Sequence, residues 1–519
     1  MSERDVFYLW HLEHLGLITR TADGWSAPLW DDASCGDAVT VAIIDSGLDP
    51  RHPNLEAALV APQIDFGPQI TGAVYRSAGS TVSALRQALA TSQGDLKEIV
   101  QRVLAEVRAH TVRAGLDIEK LSVLHDAVQA AGNPASAAQA FLEALSVQPP
   151  GHSMADAGFV DAAAKIADLD LGADHSATIT AMAGQMARGY AQIDMQDPAA
   201  FFGAHGTACA GLVGGRPPRD RPHEFFSALP YYGVNPFCQI ASYATPYSHE
   251  IKPVINALLA AYFSEAPVIL MPRGLPDVAA RAELPPSARR QTRIETCNSA
   301  HPETLVDDDQ ANLMGLRRDQ ELIEALLLAI AKRRYVVLAA GNEGRGNMLA
   351  YPASAAGLVD SAIVVAAVTR DGLRASYSNG APAPATLLHM VSDDAEVLHR
   401  DDQRIDAGTF NGSDYQFGDV DMAASTAKYV PWAPLSLDVR GPYGFAASSH
   451  RDVPDYEDGV DIASLYTLFG GTSAAASQAA GLVSLLIQAG KLPVTPTGGA
   501  EPIITAMQAE GLRHVRPLP

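Results

Sequence analysis

A three-layer α/β domain, with a mainly parallel central sheet and a helical insertion, is the fold class this sequence predicts, on three observations. Short apolar runs at 39–45 ("VTVAIID"), 238–244 ("CQIASYA"), 267–271 ("PVILM"), 335–341 ("YVVLAAG") and 362–368 ("AIVVAAV") lack polar–apolar alternation. Strands of a parallel sheet covered on both faces have that character. Helical stretches at 207–215, 250–264, 317–334 and 473–488 lie between or after these runs, and a β-α-β-α order calls for right-handed crossovers over one sheet. Polar side chains stand at the ends of these elements, and in such sheets sites form beyond the carboxyl ends of the strands.

Taken in chain order, residues 1–37 form an N-terminal extension. Its opening, "MSERDVFYLWHLEHLG", has early acids and no uninterrupted apolar core, so no secretory signal is read there. The main domain is expected over 38–65 and 201–490. Between its two parts, 66–200 is alanine-rich and is read as an inserted helical subdomain. Leu96, Ile99, Val100, Val103, Leu104 and Val107 make one stripe at helical spacing. Leu116, Ile118, Leu121, Leu124 and Val128 make a second, ended by "GNP" at 132–134. Residues 275–316 are rich in Pro, Arg and Asp and are expected to be an exposed loop, as is "SARRQTR" (287–293) within it. Residues 381–464 show no sustained period, and 491–519 are read as a C-terminal tail.

The balance of 37 basic against 59 acidic residues gives a net charge of −22. It argues against a phosphate backbone or an anionic membrane as the main partner. No stretch has the length and polarity of a membrane span. Cys35, Cys209, Cys238 and Cys297 are widely separated, which reads as reduced thiols in a cytoplasmic protein.

Four stretches carry chemistry. "VTVAIIDSGLDPRHPNL" puts Asp45 where the first strand meets its turn, a partly desolvated place in which an acid should have a partner. "HGTACAGLVGG" puts His205 ahead of a Gly-Thr turn that opens a helix of small residues. "YVVLAAGNEG" puts Asn342 past the end of a strand. "GGTSAAASQAAGLVSLLIQ" puts Ser473 at a helix start, followed by alanines that leave its hydroxyl uncovered. Each alone has an ordinary structural explanation: turn residue, core histidine, turn former, N-cap. Together they supply a nucleophile (Ser473), a base (His205), an acid to fix the imidazole tautomer (Asp45) and an amide for a developing oxyanion (Asn342, with the Ser473 N–H). The chemistry is acyl transfer through a covalent serine intermediate. It needs no metal or organic cofactor.

"VAIIDSGLDPRHPNL", "HGTACAGLVGG", "VVLAAGNEG" and "GTSAAASQAAG" resemble the four motif regions of the subtilisin-like serine proteases, or subtilases. Stretches that resemble the family run over 38–58, 203–274, 317–380 and 465–490. The resemblance implies a subtilisin-like fold, a catalytic Asp45, His205 and Ser473, Asn342 in the oxyanion hole, and protein or peptide substrates. It also implies substrate contacts at Pro272, Arg273, Gly274, Ala340, Gly341 and Ala350. Cys209 resembles the cysteine near the histidine in the proteinase K-like and kexin-like branches. Calcium is common in the family and Asn54 sits where a ligand often lies, but no downstream ligand loop is recognisable, and the acidic run "VDDDQ" (306–310) reads as a solvated surface.

Three departures shape the expectation. Ala474, Ala475, Ala476 and Ser477 follow Ser473 where the family has Met-Ala-Ser/Thr-Pro, which predicts an altered pocket. "VILMPRGLP" replaces the usual Ser-Leu-Gly of the substrate-pairing strand. Arg273 there hints at acidic substrate positions, whereas Glu343 at the pocket rim hints at the opposite. Fewer than 40 residues precede the first strand, too few for the family's folded propeptide. The expected function is therefore that of a cytoplasmic serine endopeptidase restrained by 66–200, by 275–316 or by a regulatory protein docked at 66–200. The alternative is a pseudoprotease that keeps the fold as a protein-binding module.

Overall fold

In the computed structural model, the residues described are 9–60 apart from 23 and 51, 64–65, 158–187 apart from 160, 193–194, 204–218, 231–245, 252–277 apart from 276, 310–394, 433–438 and 465–514. The two apolar stripes of 96–128, "SARRQTR", residues 306–309 of the acidic run and most of 395–464 lie outside them.

The five apolar runs are strands of one sheet. Numbered in chain order with two short strands, β1 (Thr19–Thr21) and β2 (Gly24–Ser26), ahead of them, they are β3 (Thr40–Asp45), β6 (Gln239–Ala244), β7 (Val268–Met271), β8 (Tyr335–Ala339) and β9 (Ile363–Val368). β4 (Ile64–Asp65), β5 (Ile193–Asp194) and β10 (Leu388–Val391) complete an eight-stranded sheet of order β10-β9-β8-β7-β3-β6-β4-β5. Every neighbouring pair is parallel except β4 with β5. β3 lies at the centre, with Asp45 opposite Ala244 of β6 and Val41 opposite Val268 of β7. The chain leaves β3 first toward β6 and then returns to its other side as β7. That reversal opens a crevice beyond the carboxyl ends of β3 and β7.

The absence of alternation in the strands follows from two cores. Val41 and Ile43 point into one hydrophobic cluster, Ala42 and Ile44 into the other, so every position of the strand is apolar. The helices divide accordingly. α5 (Ala204–Gly214) and α9 (Gly471–Gln488) cover the first face; α6 (Lys252–Phe263), α7 (Gln310–Ala331) and the short α8 (Leu358–Ser361) cover the second. α9 is buried from Thr472 to Gln488, as a helix that is apolar or small-residued all round must be. Among the described residues no helix is long and apolar enough to cross a membrane.

Residues expected as extension, insertion and tail enter these same cores. At the N-terminus, α1 (Trp10–Leu15) and α2 (Pro28–Ser34) contribute Leu12, Leu15, Leu29 and Trp30 to the first face. Trp30 Nε1 donates to the Val234 carbonyl at 2.9 Å, and Gln488 Nε2 to that of Ala33 at 3.0 Å. α10 (Ala500–Ala509) adds Ile503, Ile504 and Met507, and the Arg513 N–H reaches the Leu15 carbonyl at 2.9 Å. On the second face, α3 (Ala162–Ala167), α4 (Ala173–Ala187) and their flanks bury Phe159, Ile166, Leu169, Leu171 and Ile179 against α6 and α7.

Two differences from the sequence reading have local causes. β10 falls in a stretch read as irregular: it is four residues long with His389 half-buried, so it carries no period to detect. α7 begins at Gln310, inside the segment read as loop, because "QANLMGL" is made of residues with adequate helix propensity ahead of the apolar stripe. A final antiparallel pair, β11 (Leu435–Leu437) and β12 (Tyr466–Leu468), leads the chain into α9.

Candidate active site

Asp45 ends β3 at the crevice and is 1% exposed. Its Oδ1 accepts from the Ser46 N–H at 2.7 Å and the Ser46 hydroxyl at 3.0 Å. His205 lies in the first turn of α5. Its Nδ1 is 2.9 Å from both Asp45 oxygens, and its side chain keeps 18% exposure. With Nδ1–H donated to the carboxylate, Nε2 carries the lone pair, the tautomer a general base needs. Gly206 and Thr207, read as a turn that opens the helix, lie inside α5, and the glycine has a steric reason: a Cβ on it would land on the Gly47 carbonyl oxygen. Thr207 Oγ1 then accepts from the Asp49 N–H at 2.8 Å, locking the two motifs together.

Ser473 lies in the first turn of α9 and is 7% exposed. Its hydroxyl donates to the Pro272 carbonyl at 2.7 Å. The one proton of that hydroxyl is therefore directed at the carbonyl and not at an imidazole. Asn342 is oriented by its neighbour on α9: its Oδ1 accepts from both the N–H and the hydroxyl of Thr472, each at 2.8 Å. An N–H must meet oxygen, so the amide's flip is fixed and Nδ2 turns away from Thr472. Thr472 Oγ1 also accepts from the Gly341 N–H at 3.2 Å.

Burial would raise the Asp45 carboxyl, but the adjacent imidazole, the Ser46 N–H and the Arg273 cation together hold it below the usual carboxylate range. Burial would lower His205, yet the Asp45 carboxylate holds it well above the ordinary imidazole value. Cys209 Sγ is 3.7 Å from His205 Nδ1, and burial pushes its thiol up, so it is neutral near pH 7. Asp45, His205 and Cys209 are the group with metal-ligating chemistry among the described residues. Nδ1 and the carboxylate are, however, already hydrogen-bonded to each other. Asn54 does not fit a calcium ligand: its Oδ1 accepts from the Tyr466 hydroxyl at 2.7 Å and its Nδ2 donates to the Arg216 carbonyl at 3.2 Å.

The expected substrate contacts divide. Pro272 and Gly274 are buried beside the nucleophile, and the Pro272 carbonyl, expected to be available to a substrate strand, is taken by Ser473. Gly341 adopts φ +107°, and Ala350, half-buried, donates its N–H to the Ala340 carbonyl at 2.8 Å. Two expectations are corrected. Ala340 is fully buried, its N–H donated to Val365 and its carbonyl engaged by Ala350, so it lies behind the cleft wall. The Arg273 side chain neither faces an acidic substrate nor snorkels into solvent. It is 3% exposed and its Nη1 donates to Thr245 Oγ1 at 2.9 Å, because its length lets it turn under the sheet end. The Glu343 carboxylate at the rim is held by Asn379 Nδ2.

Sequence reasoning missed four residues. Phe469 packs edge-on against the His205 ring at 5.3 Å and forms a small buried cluster with Ala474, Ala208, Cys209 and Leu212. Thr472 orients Asn342. Asp393 and Tyr377 hold the turn ahead of α9: the Gly471 N–H lies 3.2 Å from Asp393 Oδ1 and 3.1 Å from the Tyr377 hydroxyl. Asp393 stands two residues past β10, and because that strand shows neither a run nor an alternation, nothing in the sequence singled the acid out.

With this geometry established, comparison with known proteins gives a family. The sequence profile described as "Subtilase family" matches residues 36–391, a span that includes Asp45, His205 and Asn342 and stops short of Ser473. No curated protein sequence matches the chain. Among solved structures, the nisin leader peptidase NisP from Lactococcus lactis is 11% identical, over 98% of this chain and 96% of its own, with a TM-score of 0.39. The epidermin leader peptide processing serine protease EpiP from Staphylococcus aureus is 11% identical, over 94% and 72%, with a TM-score of 0.40. Fervidolysin from Fervidobacterium pennivorans, a keratinolytic enzyme related to subtilisin, is 13% identical, over 94% and 41%, with a TM-score of 0.36.

Proposed function

The chain belongs to the subtilase family of serine proteases, and from that premise we propose that it is an endopeptidase acting through Asp45, His205 and Ser473. The observation that carries the reading is the Asp45–His205 contact, in which both carboxylate oxygens lie 2.9 Å from Nδ1. That contact fixes the tautomer and leaves Nε2 for the nucleophile's proton. In this reading the Ser473 hydroxyl turns from the Pro272 carbonyl to Nε2 and attacks the scissile carbonyl as His205 takes its proton. Asn342 Nδ2 and the Ser473 N–H donate to the resulting oxyanion. His205 then protonates the departing amine, and water releases the acyl group by the same steps reversed.

The bond from Ser473 to the Pro272 carbonyl favours one refinement: the resting nucleophile is not yet primed. A substrate strand that claims this carbonyl would release the hydroxyl. Regulation through 66–200, by the segment itself or by a protein docked there, and a cytoplasmic location belong to the same proposal. Cell fractionation tests the location.

Labelling of the purified protein with a fluorophosphonate probe tests the core of the reading. The wild type should label and Ser473→Ala should not. Absence of labelling in the folded wild type, with and without peptide substrate, would instead favour a subtilase-fold binding module.

A further inference from the structure

A buried guanidinium joined through Thr245 to the Asp45 main chain is the group the mechanism above leaves unused. Arg273 follows β7, the strand beside β3, and is 3% exposed. Its Nη1 donates to Thr245 Oγ1 at 2.9 Å and to the Thr245 carbonyl at 3.3 Å. Thr245 follows β6 on the other side of β3 and donates its own N–H to the Asp45 carbonyl oxygen at 2.7 Å. One hydrogen-bonded chain therefore links the carboxyl ends of the three central strands and ends on the Asp45 main-chain carbonyl. Arginine stays charged at any working pH, and a charge in so dry a place is costly without an anion to answer it. Asp45 is such an anion, and the guanidinium acts on its carboxylate.

We infer that Arg273 is a positioning residue for the acid–base pair: its fixed charge offsets that of Asp45 and sets the pH at which His205 becomes a free base. The inference rests on reading Asp45 and His205 as that pair. A carboxylate alone against an imidazole stabilises the imidazolium and so keeps the base protonated at neutral pH. A cation behind the carboxylate weakens that hold while leaving the hydrogen bond to orient the ring. Among the described residues, Cys209, Ser46 and Phe469 also face the pair, and all three are uncharged. Cys209 on α5 lies 3.7 Å from Nδ1 as a buried thiol, Ser46 offers neutral donors, and Phe469 presents a ring edge-on. The anchor suits this role as well, since two bonds to Thr245 fix the guanidinium from one side and keep the charge from swinging out to solvent.

The test is the titration of His205 in the intact chain, followed by histidine-labelled NMR and assigned by loss of the signal in His205→Asn. Arg273→Met removes the charge at similar volume. Arg273→Gln removes it but keeps an amide donor for Thr245, and decides the matter if the Met variant does not fold. Arg273→Lys keeps the charge. The midpoint should rise by roughly half a unit to one unit in the Met and Gln variants and stay close to wild type with Lys. The acid limb of kcat/KM should move with it. An unshifted midpoint in folded Arg273→Met or Arg273→Gln overturns the inference. The NMR titration needs no turnover, so a shifted midpoint in a chain that hydrolyses nothing would reject the protease reading and leave the role of Arg273 standing.

Discussion

The raised pKa of His205 fixes how activity and stability should respond to pH. The general base must be neutral, and the imidazole holds its proton well above the ordinary value of 6.5. The acid limb of kcat/KM should therefore lie above pH 6.5, with activity still climbing where an unperturbed histidine would already be free; a limb at or below 6.5 in a pH-rate profile would refute this. Stability follows the opposite sign. A raised histidine contributes stability below its unfolded pKa and loses it as pH rises through the folded one. A depressed Asp45 contributes above its unfolded value of 3.8 and loses its share as pH falls through its folded pKa. The two describe one interaction, so denaturant melts should show a single plateau between those limits. Asn342 gives a separate prediction. Thr472 holds its Oδ1, so Asn342→Ala removes an oriented donor that matters once an oxyanion exists. kcat should fall by about 10²–10³ with KM little changed, and a loss confined to KM would place the residue in ground-state binding. The placement of Asp45, His205, Asn342 and Ser473 at or just past element ends was legible in the sequence, because there the chain itself aims the side chain. Arg273 was not, because a long side chain chooses its direction from surroundings that the local sequence does not encode.

The start of α9 has a device of its own. Gly471 takes φ +77°, and a Cβ on Gly470 would land on the Asp393 carboxylate. The Tyr377 hydroxyl donates to Asp393 Oδ1 at 2.8 Å, and the Ser392 hydroxyl donates to the Gly471 carbonyl at 3.0 Å. Burial, reinforced by Asp394, raises the Asp393 carboxyl in spite of these donors. The group is thus kept for its geometry at some electrostatic cost, and its position fixes the turn from which Ser473 projects. Asp393→Asn retains an acceptor oxygen and should leave stability near wild type. Asp393→Ala leaves the Gly471 N–H and the Tyr377 hydroxyl without it and should lose about 1–3 kcal/mol. The same variant should lower kcat more than KM, because a loosened turn misplaces the nucleophile without touching the substrate. Equal melting curves for the Ala and Asn variants would remove the turn-holding role. The five central strands were readable as unbroken apolar runs. β10, which delivers Asp393, was not: four residues with a half-buried histidine give neither a run nor an alternation.

At the scale of the whole molecule, part of the segment between Asp45 and His205 belongs to the central core. Phe159, Ile166, Leu169, Leu171 and Ile179 are buried in the core on the second face of the sheet. At about 1.5–3 kcal/mol for each large apolar side chain, these five together carry roughly 8–15 kcal/mol, comparable to the whole stability of a domain. The sequence reading grouped them with the insertion because alanine-rich helices look alike whether they stack on a sheet or on each other. The packing separates them. Deleting 66–200 should therefore unfold the chain, whereas deleting 66–157, with 65 joined to 158 by a flexible glycine–serine linker, keeps all five of these side chains, and denaturant melts compare the two. That difference makes the regulatory proposal testable, because the shorter deletion keeps these five core residues. If 66–157 restrains the protease, or docks a protein that does, the shortened chain should hydrolyse peptides or label with fluorophosphonate faster than the full chain in cell extract. Equal rates from two equally folded proteins would free this segment of any restraining role. The Ser473–Pro272 contact would then remain as the restraint built into the site itself.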